Sequence, residues 1–171
     1  MNKTFLASFF LLHLLQLSAQ KPTQTTQSFT IEGLVEQPLT IPIADLKNYA
    51  TVTIDSVVIK NHLGERKSML KNIKAVPLKP VLADLKIKAE QPRQLSEFYF
   101  VAIAADGYKV VFSWNEVFNN PLGNTISIIV EANGKQIQDL DNRIAILSPT
   151  DEMTGRRYVK SLEKIVVRRV E

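Results

Sequence analysis

Two dipeptides constrain this chain more than any other feature. Asp106-Gly107 interrupts the run FYFVAIAADGYKVVFSW, and Asn133-Gly134 interrupts NTISIIVEANGKQI. Both sit between segments rich in aromatic and β-branched residues. Such dipeptides favour the type I′ turn, whose twist matches that of paired strands. Each run is therefore expected to fold back on itself as an antiparallel hairpin. Other β-rich segments join them. In FTIEG, Phe29 and Ile31 share one face, with Thr30 and Glu32 on the other. ATVTIDSVVIKN predicts a long strand, NHLGER a turn at Gly64, and RKSMLKN a partner strand. NRIAILSP predicts a short strand stopped by Pro149, and YVKSLEKIVVRRV a terminal strand whose alternation is too irregular to assign an inward face.

Three short helices punctuate the strands. Pro42 can open one near Leu46, after a short extended piece. Pro77 can open another, with Leu78, Val81, Leu82 and Leu85 at helical spacing. Ser113 stands three residues before Glu116, the spacing of a capping box. QPRQLSE reads as a loop. Strands interrupted by short helices, without a regular βαβ series, predict an α+β fold with mixed sheets.

The first residues predict export. Lys3 precedes an apolar run from Phe5 to Leu17, and LSAQ follows with small residues, the layout of a signal peptide cleaved after Ala19. The run is shorter than the roughly 20 residues a spanning helix needs. Residues 20–28 are polar and read as a disordered leader; residues 29–171 form one domain. No Cys occurs anywhere, so a lipid-anchored form, a thiolate nucleophile and a redox dithiol are all excluded in this reading. Removal of the leader takes His13 and leaves His62 as the one imidazole, too few for a zinc site built from several His or Cys. The expected location is periplasmic or secreted.

The formal net charge of +4 is mild, but the positive residues concentrate near the C-terminus, at Arg156, Arg157, Lys160, Lys164, Arg168 and Arg169. Thr154 and Gly155 precede them, so backbone amides and basic side chains could approach one anion together. Arg presents a planar fork of donors and Lys a point charge, a set suited to phosphate or carboxylate. Arg156, Arg157, Tyr158 and Lys160 are the candidate ligand residues. The competing reading is a solvated basic face paired with Asp151, Glu152 and Glu163. His62 reads as a solvent-facing turn residue, and Trp114 as core or a ledge at a cleft edge. Acids interleave the bases and no stacking platform is evident, which argues against nucleic acid. The strand-like tail is not an amphipathic membrane helix.

LTIPIADLKNYATVTID, GERKSMLKNIKAVPLKPVLADLKI, VAIAADGYKVVFSWNEV and RIAILSPTDEMTGRRYVKSLEKIVV, in this order, resemble the sulfite-oxidase-type molybdopterin-binding domain. The resemblance runs from Phe29 to Val170. It implies that family's α+β fold, with Asp106, Gly107 and Tyr108 at the rim of a ligand cleft and Arg157, Tyr158 and Lys160 on an Arg-aromatic-Val-Lys motif. It also implies a molybdopterin cofactor, whose metal in that family is held by one protein Cys. This chain has none. The expectation is therefore a binding module for an anionic small molecule or an envelope protein, without redox catalysis. The alternative is a molybdenum oxidoreductase with Ser, Asp or solvent oxygen in place of the thiolate.

Overall fold

The computed structural model describes residues 26–171. The expected signal peptide and most of the expected leader lie outside them. Ten strands form two five-stranded sheets: β1 (Ser28–Gly33), β2 (Leu39–Pro42), β3 (Val52–Lys60), β4 (Arg66–Pro77), β5 (Phe98–Ala104), β6 (Lys109–Ser113), β7 (Ser127–Ala132), β8 (Lys135–Gln136), β9 (Ile146–Leu147) and β10 (Leu162–Arg169). Two short α-helices interrupt them, α1 (Leu78–Ala83) and α2 (Trp114–Phe118). The first sheet has the order β2-β1-β10-β5-β6; the second runs β3-β4-β7-β8, with β9 on the other side of β7. The fold is mixed α+β, as the sequence pattern predicts.

β1 carries the expected alternation, with Phe29 and Ile31 fully buried. It begins at Ser28, inside the stretch read as leader, because Ser28 pairs with Pro42 and the Gln27 carbonyl accepts the Ile43 N–H. β10 lies between β1 and β5, parallel to the first and antiparallel to the second. Its irregular alternation has a local cause. The register with β5 shifts between Leu162 and Lys164, a bulge that resets which side chains face inward. Leu162, Ile165 and Val167 are the buried set.

Both hairpins form, by different turns. Asn133 and Gly134 are both left-handed (φ 53° and 75°), as a type I′ turn requires. At the other turn only Gly107 has positive φ, and its N–H returns to the Ala104 carbonyl. That loop is one residue longer than type I′, with the glycine acting as the bulge residue. The Ser113 hydroxyl accepts the Glu116 N–H at 3.0 Å, the expected cap of α2. QPRQLSE is not irregular: Pro92–Glu97 is a 3-10 helix, and the Gln94 side chain accepts the Gln91 and Glu90 N–H groups.

The main core draws on both sheets and both helices, with Phe29, Phe98, Phe100 and Phe112 almost wholly buried. Each such side chain contributes about 1.5–3 kcal/mol by leaving water. The second sheet has a smaller apolar cluster on its other face, including Val57, Ile59, Ile73, Ile129 and Leu147. Along β7, Ile128 belongs to one cluster and Ile129 to the other. This two-sided burial explains why Ile144 to Ser148 are buried without alternation.

Candidate anion-binding groove

The residues singled out around Tyr158 meet at the far end of the β3–β4 hairpin. β3 is an edge strand, and its register with β4 shifts at Ile59/Lys60. The loop from β9 to β10 covers that edge with a short 3-10 helix, Thr154–Arg157. The Thr154 hydroxyl accepts the Lys60 N–H at 2.9 Å and donates to the Val58 carbonyl at 2.6 Å. One side chain thus satisfies two backbone groups that an exposed edge would leave open. The following residue must be small, since a Cβ on Gly155 would lie 2.5 Å from the Lys60 carbonyl oxygen.

The β3–β4 turn is closed by its own hydrogen bonds. Asn61 accepts the Leu63 and Glu65 N–H groups at 3.0 Å and donates to the Glu65 carboxylate at 2.8 Å. Gly64 takes the left-handed conformation (φ 81°). His62 is thereby presented to solvent at the groove's rim. The third wall comes from the β5–β6 turn. Asp106 accepts the Tyr108 N–H at 2.9 Å, and the Tyr108 hydroxyl donates to the Arg156 carbonyl at 2.6 Å.

Between these segments lies an open groove of about 530 Å³. Its positive side chains are Lys60, His62 (when protonated), Lys67, Arg156 and Lys160, and no carboxylate residue lines it. Lys67 is partly neutralised from outside by Glu65, at 2.9 Å. Lys67, then Asn61, holds the Glu65 carboxyl below the usual carboxylate range. The Lys160 ammonium lies 5.3 Å from the centre of the Tyr158 ring, within cation–π range. Burial pushes the Tyr158 phenol up, with Asn142 opposing, so the ring is a neutral wall at ordinary pH.

Tyr108, Arg156, Tyr158 and Lys160 therefore share one groove. Asp106 and Gly107 shape the turn that carries Tyr108 but do not line the groove. Arg157 is placed elsewhere. Its Nε and Nη2 bond Asp151 at 2.7 and 2.5 Å, its Nη1 bonds Glu116, and its guanidinium lies 5.2 Å from the Phe112 ring centre. These carboxylates hold its proton even more firmly than usual, Asp151 contributing most. The charge assigned to Arg157 for a ligand instead ties the loop to α2. Neighbouring side chains of a three-residue turn diverge, so Arg156 and Arg157 cannot face the same way. Lys60 and Lys67 were not among the sequence candidates; their signal was the basic flanks of KNHLGERK. Trp114 stacks on Phe118 at 5.3 Å and lines a separate apolar groove.

Two of the other terminal charges, Lys164 and Arg169, have partners too. Lys164 pairs with Glu32 at 3.2 Å, and Arg169 with Glu97 at 2.5 Å. The acids come from elsewhere in the chain, not from the adjacent Glu152 and Glu163.

The donor set tests the molybdopterin that the sequence resemblance implies. Ammonium, guanidinium and imidazole groups suit the phosphate of such a cofactor. The metal end finds no fit: the chain has no Cys, and the described residues hold no group of three or more His, Asp or Glu able to grip an ion. Among the described residues, no helix is long and apolar enough to cross a membrane.

No family model and no curated protein sequence matches the chain. Among solved structures, the crystal structure of the sulfane dehydrogenase SoxCD from Paracoccus pantotrophus matches with a TM-score of 0.61 and 18% identity. The match covers 88% of this chain and 41% of that one, so this chain spans less than half of its neighbour. At this identity the likeness is one of fold: the chain has the mixed α+β fold that its motifs imply, shared with SoxCD.

Proposed function

We propose that this chain is an exported binding module for an anionic small molecule, held in the groove between the β3–β4 turn and the loop before β10. One observation carries the reading: the β3–β4 hairpin and the loop before β10, far apart in the chain, both deliver basic side chains to a groove that no carboxylate lines. Arg156 and Lys160 are the principal ligands, with Lys60 and His62 on the opposite wall. Tyr108 fixes the backbone of Arg156, and Arg157 anchors the loop from behind.

A charge-assisted hydrogen bond to an anion is worth roughly 1.5–3 kcal/mol, which is about tenfold or more in Kd. Calorimetric titration of the purified chain with inorganic phosphate and pyrophosphate is expected to show saturable binding that weakens with salt. Lys160→Ala and Arg156→Ala should each lose about tenfold. Lys164→Ala, which removes a cation paired with Glu32, should change nothing. Equal binding by all three variants would sink the proposal.

The second reading is a molybdenum oxidoreductase. It is favoured by the shared fold with a dehydrogenase, and it must place a metal where sulfur is lacking. Elemental analysis of protein from its native source decides between the two. Stoichiometric molybdenum would establish the second reading.

A further inference from the structure

Tyr158 borders a second cavity besides the basic groove, a smaller and more enclosed one of about 150 Å³. Its floor is apolar, formed by Leu70 on β4, Ile129 and Ala132 on β7, and Ala145 before β9. A cavity of this volume accepts a benzene-sized ring. The rim is polar, and its chemistry differs from that of the groove.

Arg143 is the distinctive rim residue. It is partly buried, and none of the ion pairs among the described residues includes it. Its backbone is left-handed (φ 38°), a conformation non-glycine residues seldom adopt and one that clusters at functional sites. Asn133 stands on the same rim. Its carbonyl oxygen is occupied by the Lys71 N–H at 2.9 Å, which leaves its amide N–H₂ as a donor. Asp141 also lines the rim, but its side chain is 89% exposed and faces the Lys135 ammonium at 3.8 Å. An apolar floor beside a partly buried arginine without a carboxylate of its own is complementary to a ring that bears one negative group.

We propose that this cavity is a separate binding site for a small ring-bearing carboxylate. The ring lies on Ile129 and Ala145 against Tyr158, and Arg143 holds the carboxylate with help from the Asn133 amide.

Benzoate, benzyl alcohol and acetate are the probes, titrated into the full chain while backbone amide NMR signals are followed. Benzoate is expected to saturate and to shift Ala132, Asn142 and Ala145, binding at least tenfold more tightly than either of the other two. Arg143→Asn keeps a residue that tolerates left-handed backbone and should weaken benzoate at least tenfold. Leu70→Phe fills the floor and should do the same with Arg143 intact. Arg156→Ala should leave benzoate binding unchanged, which separates this site from the phosphate groove. Benzoate that does not saturate, that binds Arg143→Asn as it binds the parent chain, or that depends on Arg156 would overturn the proposal. None of these results bears on phosphate binding in the groove.

Discussion

The guanidinium of Arg157 touches carboxylates from two different elements and covers an aromatic ring, so its removal strands two acids at once. The side chains of Asp151 and Glu116 are only 16% and 25% exposed. Arg157→Met keeps the packing over Phe112 and deletes the charge. It is expected to cost roughly 2–4 kcal/mol, toward the value for breaking a buried pair, as read by urea unfolding. It should also loosen the loop that carries Arg156. Tyr158 makes a different prediction. Burial favours its neutral phenol in the folded state, a contribution complete below the unfolded value of 10.0 and lost as pH rises through the higher folded value. Absorbance titration should show a late tyrosine phase, and Tyr158→Phe should remove it. At this scale the sequence revealed the residue types but not their directions. Arg156 and Arg157 are indistinguishable in a string of letters. Only the docking of Thr154 and Gly155 on β3 decides which one faces the groove.

Elements joined by a short turn were the legible ones. Each hairpin dipeptide, the Ser113 cap and the proline-led α1 act within a few residues, so propensity alone predicts them. The 3-10 helix at Pro92–Glu97 had a signal as well, Pro at its first position and Gln at its third, but too brief a run to show helical periodicity. The bulge in β10 could not be read, because it answers to β5, some sixty positions earlier. Contacts between elements also yield a pH prediction. Glu131 on β7 accepts from Lys74 on β4 at 2.8 Å and Gln136 on β8 at 2.9 Å. Lys74, then Gln136, holds its carboxyl below the usual 4.5 of a free glutamate. Its contribution is therefore present above pH 4.5 and lost as pH falls through the lower folded value. Thermal melts from pH 6 to pH 2 should show a shallower acid limb for Glu131→Gln than for the parent chain. The difference should be modest, since the pair is near the surface.

Across the whole molecule, the terminal concentration of charge resolves into two populations. Arg157 meets the nearby Asp151 and the distant Glu116, Lys164 and Arg169 meet acids from distant parts of the chain, and Arg156 and Lys160 border the groove. Neither composition nor net charge distinguishes these, because the partners are brought together by sheet order. That order also assigns β10 an unusual place: the strand nearest the C-terminus is the middle one of its sheet. Deleting residues 161–171 is expected to expose Phe29, Ile31 and Phe100 together and to abolish the cooperative thermal transition, as read by circular dichroism. A gradual melt would confirm that the β1–β2 and β5–β6 pairs do not hold together without it; a sharp transition near that of the parent chain would refute it. Synthesis runs from the other end, so β1 and β5 emerge from the ribosome with the gap between them still empty. The first sheet cannot close until β10 has been added, whereas every strand of the second sheet, ending with β9, is made before it.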